Sequence, residues 1–280
     1  MKTSTLGNLS AFGHVAAWYG ILAGLSLLSA PALAQDWAKA RLEKSPRHLE
    51  WVKIKQGDRQ VSAFVAYPEV KEKATAVVVI HEIFGLTDWV RGVADQLAEA
   101  GYIAIAPDLL SGSAPGGGGT AELAGGDAVR KAISDLPPAQ ITADLQAAMK
   151  FVKQLPAANG KVAVAGFCWG GSQTFRFATN EKDIKAGFVF YGSGPEKAED
   201  IERIQAPIHG FYGENDARVN ATIEKSKEIM KKADKTYEPV IYTGAGHGFM
   251  RAGEAPDASE ANKKARAEAW ERLKKALKRL

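Results

Sequence analysis

The chain holds a single cysteine, Cys168, in the run Gly166-Phe167-Cys168-Trp169-Gly170-Gly171. A thiolate is a strong nucleophile. When a nucleophile sits on a sharp turn between a strand and a helix, the positions two residues to either side must be small enough for the backbone to double back. Gly166 and Gly170 occupy those positions. An unperturbed thiol pKa of about 8.5 is lowered at a helix N-terminus, which such a turn supplies. A lone cysteine can instead be an inert, buried small apolar residue. The flanking glycines, with a strand before and a helix after, point to the nucleophile.

A thiolate nucleophile needs a proton acceptor, and the acceptor needs an orienting carboxylate. His14 lies near the N-terminus, His48 ahead of the first strand pair, and His209 inside an apolar strand, where a core or supporting imidazole is expected. His247 lies in the glycine-lined run Gly244-Ala245-Gly246-His247-Gly248-Phe249, just after the last strand. The carboxylate candidate is Asp216 in Gly213-Glu214-Asn215-Asp216, with Glu214 as its alternative. A further group is His81-Glu82-Ile83-Phe84-Gly85. His-Glu suggests zinc, but no second histidine follows at the spacing a metallohydrolase helix requires, so no metal and no cofactor are expected. Asp108, after Pro107, is expected to cap a turn.

These residues need a scaffold that brings strand ends together. Trp51–Ile54 and Val61–Ala66 read as an antiparallel pair turned at Gly57-Asp58. Ala76–Ile80 is an unbroken, valine-rich run, as expected of a strand buried on both faces of a parallel sheet. Thr87 is positioned to cap a helix whose Trp89, Val90, Val93 and Leu97 share one stripe and which Gly101 stops. Strands follow at Tyr102–Ala106, Val162–Ala165, Phe188–Tyr191, Ile208–Tyr212 and Val240–Tyr242. Helical stripes are Ile141-Leu145-Met149-Val152 and Trp270-Leu273-Leu277-Leu280. The alternation predicts one α/β domain with a mostly parallel sheet and helices on both faces. The chain of 280 residues is 46% hydrophobic and 24% charged, with a net charge of +4. That balance is too even for a nucleic-acid-binding footprint. The basic C-terminal helix, with Glu260, Glu268 and Glu271 among its cations, reads as a solvated face, or less directly as a membrane-surface patch.

Two segments stand apart. Residues 1–34 read as a signal peptide: an apolar run of about fourteen residues from Val15 to Leu28, then Ala32-Leu33-Ala34 at the cleavage position. The expectation is cleavage before Gln35, export to the periplasm or beyond, and no stable membrane insertion afterwards. An uncleaved anchor is the alternative. Between Ser111 and Asp127 the chain becomes Ser, Gly, Ala and Pro, directly after a strand end where open α/β sheets place ligands. It has too little apolar content to pack, and reads either as a mobile lid or as a solvated insertion. Residues 35–59 then form an N-terminal extension with the first strand, and residues 60–280 the main domain.

With Glu82-Ile83-Phe84-Gly85, Pro107-Asp108-Leu109, Gly160-Lys161-Val162, the Cys168 turn and Ala245-Gly246-His247-Gly248-Phe249, the chain resembles the dienelactone hydrolases. These are the carboxymethylenebutenolidases of the α/β-hydrolase superfamily, and the likeness runs from about Gln60 to the C-terminus. Nucleophile, acid and histidine follow in the chain order that superfamily uses. The resemblance implies an α/β-hydrolase fold and a triad of Cys168, Asp216 and His247, with Glu82 taking the thiol proton as substrate binds. In such a sheet the backbone N–H groups of Ile83 and Trp169 form the oxyanion hole. The implied substrate is a small-molecule ester or enol-lactone, opened through an acyl-thioester. Arg251 matches one of two arginines that grip the substrate carboxylate in the family; at the other position this chain has Gly112. The remaining alternatives are a broad carboxylesterase or thioesterase, a ligand-binding protein with a vestigial triad, and a thiol redox sensor.

Overall fold

In the computed structural model, residues 36–280 apart from Glu196 are described. The segment read as a signal peptide lies outside them. The elements run in the order α1 (Asp36–Glu43), β1 (Leu49–Gln56), β2 (Arg59–Ala66), β3 (Ala74–Ile80), α2 (Asp88–Glu99), β4 (Ile103–Pro107), α3 (Gly126–Ser134), α4 (Pro138–Gln154) and β5 (Ala158–Phe167). They continue as α5 (Trp169–Asn180), β6 (Gly187–Phe190), α6 (Ala198–Glu202), β7 (Ile208–Asn215), α7 (Ala217–Asn220), α8 (Ile223–Lys232), β8 (Tyr237–Gly246), α9 (Phe249–Ala252) and α10 (Glu260–Leu277).

The eight strands form one sheet in the order β1-β2-β4-β3-β5-β6-β7-β8. β1 and β2 pair antiparallel, and β2 pairs antiparallel with β4, while the six strands from β4 to β8 are mutually parallel. Successive side chains of a strand face opposite ways. Thus Ala76, Val78 and Ile80 of β3 enter one core with α4 residues Ile141, Leu145, Met149 and Val152. Val77 and Val79 enter the other core, with Trp89, Val93 and Leu97 of α2 and Leu273 and Leu277 of α10. Every residue of β3 is buried because both faces are covered, which is why its sequence shows no alternation. At about 1.5–3 kcal/mol for each fully buried Val or Ile, this strand anchors the sheet centre.

Two expectations are corrected in detail. Thr87 stands at the N-cap of α2, but its side chain makes no capping bond and its Oγ1 is buried without a partner. The glycine-rich stretch does pack, with Ala114 buried and Leu123 against the core, and it is seated by hydrogen bonds. Asp108 accepts from Leu110 N–H at 3.1 Å, as a turn cap should, and also from Thr120 N–H at 2.8 Å and Thr120 Oγ1–H at 2.7 Å. Leu86 N–H donates in turn to Thr120 Oγ1 at 3.0 Å. Gly85 (φ +75°) and Gly119 make this seating possible, because a Cβ at either would collide with Thr120 or Asp108 respectively.

Candidate active site

The site lies where β3, β5, β7 and β8 end. β5 runs straight into α5, and Cys168 between them adopts φ 57° and ψ −118°. For a residue with a Cβ this left-handed backbone costs on the order of 1–3 kcal/mol and must be imposed by its surroundings. Cys168 N–H donates to Phe190 O at 3.0 Å and Cys168 O accepts from Ser172 N–H at 3.2 Å, which holds the turn from both sides. A Cβ on Gly166 would strike the carbonyl of Gly170, and one on Gly170 would strike the carbonyls of Ile80 and His81. The two flanking glycines are therefore demanded by backbone approach. Gly170→Val should destabilise the protein by several kcal/mol or leave it insoluble, as the displaced groups are backbone; a variant melting like the wild type would contradict the packing.

His247 Nε2 lies 3.1 Å from Cys168 Sγ, and His247 Nδ1 lies 2.5 Å from Asp216 Oδ2. Asp216, buried at the N-cap of α7, also accepts from Val219 N–H at 3.4 Å through Oδ1. Glu214, the alternative acid, instead accepts from Gly244 N–H at 2.8 Å. His209 sits on β7 against Glu238, 3.0 Å from its Oε2, and His48 precedes β1 beside Glu50. Of the four histidines among the described residues, His247 is thus the one joined to the sulfur.

The pKa of His247 is raised to about 9, chiefly by its hydrogen bond to Cys168, with burial opposing and Asp216 assisting. The bonds to Cys168 and Asp216 thus favour the protonated ring. The sign for stability follows from linkage: a group whose pKa is higher folded than unfolded contributes in full below its unfolded value, here 6.5, and that contribution is lost as pH rises through about 9. Wild-type melting temperature should accordingly fall more than that of His247→Gln across this window. Parallel curves for the two proteins would contradict the assignment.

Glu82 is buried beside this cluster, but the structure ties it to Arg251: Nε donates to Glu82 Oε2 at 2.9 Å. Burial raises the Glu82 pKa more than Arg251 and His247 lower it. Burial acts against the Arg251 cation, yet Glu82, together with Tyr191 and Cys168, more than offsets it and the net shift is upward. Ile83 lies in a turn closed by Gly85 N–H donating to Glu82 O at 3.1 Å. Trp169 opens α5, where an amide has no intrahelical acceptor. Among the described residues, no three His, Cys, Asp or Glu side chains converge to hold a metal ion.

Two neighbours carry no catalytic role in the sequence reading, in which His81 entered only through the zinc possibility. Tyr191, fully buried at φ 40°, sets its ring edge-on to His247 with centroids 5.1 Å apart, and its hydroxyl has no partner. His81, buried and with its pKa lowered chiefly by that burial, lies 2.8 Å through Nδ1 from Glu82 O and stacks on Trp169 at 5.5 Å. A neutral ring bonded that way donates its Nδ1 proton to the carbonyl. Both follow strand ends, the signal by which sequence could have found them.

The profile of the dienelactone hydrolase family matches residues 61–280. A relative from Methylorubrum extorquens, provisionally named a carboxymethylenebutenolidase, is 33% identical over 210 residues, 71% of each chain. One from Synechocystis with the same provisional name is 31% identical and covers 80% of this chain and 93% of its own. The crystal structure of a provisionally assigned dienelactone hydrolase from Klebsiella pneumoniae superposes with a TM-score of 0.72 at 25% identity, covering 84% of this chain and 99% of that one. Matched from β2 through the last helix, the chain belongs to the dienelactone hydrolase family, a family of carboxymethylenebutenolidase-like hydrolases acting on lactones and esters.

Proposed function

We propose that the protein is an exported hydrolase that opens small-molecule esters or enol-lactones through a thioester on Cys168. The observation that carries this reading is the hydrogen-bonded series Cys168 Sγ, His247 and Asp216 on a strained strand-to-helix turn. In the proposed reaction the sulfur passes its proton to His247 Nε2 as it attacks the carbonyl carbon, and the oxyanion is received by the N–H groups of Ile83 and Trp169. Collapse breaks the carbon–oxygen bond to the leaving alkoxide or enolate, which His247 protonates. Water, deprotonated by His247, then attacks the thioester, releasing the carboxylic acid and restoring the thiol. Asp216 keeps the imidazole oriented and stabilises its charge.

Glu82 and Arg251 add a substrate-linked step. A substrate carboxylate placed at Arg251 would compete with Glu82 for the guanidinium. The buried carboxylate thereby released, with its raised pKa, suits the acceptor of a thiol proton. Arg251→Ala should therefore cut kcat/KM about tenfold or more for lactones and esters bearing a carboxylate, as expected for loss of a charge-assisted bond of roughly 1.5–3 kcal/mol, and much less for neutral aryl esters. Equal losses on both classes would contradict this role. N-terminal sequencing of the protein recovered from the cell envelope tests export, with Gln35 as the expected first residue.

A broader carboxylesterase or thioesterase is favoured by one observation. At Gly112 the nearest guanidinium is that of Arg59, whose Nη2 donates to Ser111 O at 2.7 Å and to Asp144 Oδ2 at 3.2 Å and so holds the group toward Asp144. A second arginine matching the family's grip on a substrate carboxylate is thus missing at this position, where the chain has Gly112. Turnover of an enol-lactone against p-nitrophenyl acetate and an acyl thioester ranks the two readings.

A further inference from the structure

A cavity of about 470 Å³ opens beside Arg251, between β1, the turn after β3, the start of α2 and the glycine-rich stretch. Arg251 belongs to both places: its Nε is on Glu82, and its guanidinium carbon lies 5.4 Å from the centroid of Phe84, which lines the cavity. The volume falls within the roughly 300–1,000 Å³ of clefts that take drug-sized ligands, and is more than a single small lactone ring fills.

The charged groups on its wall already have partners. Arg91 is paired with Asp88, Arg251 with Glu82, and Asp108 is filled by Thr120 and Leu110. The rest of the wall is apolar or aromatic, notably Trp51, Phe84, Leu86 and Val129, and Trp51 is 54% exposed although Arg91 lies 5.6 Å from its centroid.

We infer that this cleft binds the non-reacting body of the substrate, and that this body, apart from any carboxylate that reaches Arg251, is neutral and apolar or aromatic. The inference rests on the hydrolase reading, because the occupant is taken to be an ester whose carbonyl lies at Cys168. The stretch from Thr120 to Gly126 has a task in it: seated by Asp108, it forms the outer wall.

The test compares kcat/KM for p-nitrophenyl acetate, a small probe, with naphthyl acetate and p-nitrophenyl phenylbutyrate, which carry the bulk on the leaving-group and acyl side respectively. Ala121→Trp, at an exposed position on the outer wall, would fill the cleft, and Trp51→Ala would remove its aromatic face. For at least one bulky ester, the ratio of its kcat/KM to that of the acetate should fall about tenfold in both variants, mainly through KM. An unchanged ratio for both bulky esters in both variants overturns the inference. Calorimetric binding of naphthyl acetate to Cys168→Ala separates the two readings. Binding that Ala121→Trp weakens supports the cleft even if the cysteine chemistry fails, and binding indifferent to Ala121→Trp counts against the cleft even if the chemistry holds.

Discussion

Replacing Cys168 by Ala is expected to lower kcat/KM for an aryl ester by at least about a hundredfold, and by as much as 10⁶-fold if the members of the series act as one unit. The sulfur is the one group at the turn that can form the acyl bond, and its backbone strain is maintained by Gly166, Gly170 and the Phe190 carbonyl whatever side chain stands there. Alanine fits the same backbone, so the variant should fold and still bind substrate. Residual turnover would come from the oxyanion-hole amides and from positioning. Undiminished turnover would move the chemistry away from this turn.

The second large effect is expected from Asp216→Asn, which keeps the shape and removes the charge. His247 Nδ1 lies 2.5 Å from the carboxylate, so an amide there would face the ring with a donor in one of its orientations and fail to support the imidazolium in the other. A loss of about 10²- to 10⁴-fold in kcat is expected, with KM changed far less. The raised pKa of His247 should also drop, seen as a shift of its ring resonances to lower titration pH. Because the largest upward influence on that pKa is Cys168, the drop should be only partial. A variant with wild-type kcat and an unmoved titration would remove Asp216 from the site. Loss of activity matched by an equal loss of folded protein would make its role the N-cap of α7 instead.

The polypeptide displays those features of this site that have a local cause. The glycines around Cys168 are there because neighbouring carbonyls leave no room for a Cβ, and their spacing is visible in a single line of sequence. The valine run of β3 is legible because burial on both faces removes the alternation that exposure would impose. β8 was recognised over only three residues, because most of its length is an edge whose side chains, Val240 and Ile241 among them, face solvent. The bond between Arg251 and Glu82 spans 169 positions, and no periodicity announces it. Spacing could not show that Arg251 holds the acid directly. The glycine-rich stretch misled for a related reason: composition reports apolar packing, whereas this stretch is fixed by polar atoms of Asp108 and Thr120. Thr87 has the type and place of a cap, yet its hydroxyl makes no bond to the helix amides.

The most direct test of the central claim is mass spectrometry of the intact protein, quenched in acid during steady-state turnover of a slow ester and then digested. The account predicts one acyl group per chain, carried by the peptide containing Cys168 and labile to hydroxylamine as a thioester is. Steady turnover with no acylated species in His247→Gln or wild type, or an acyl group found on any other residue, would contradict it.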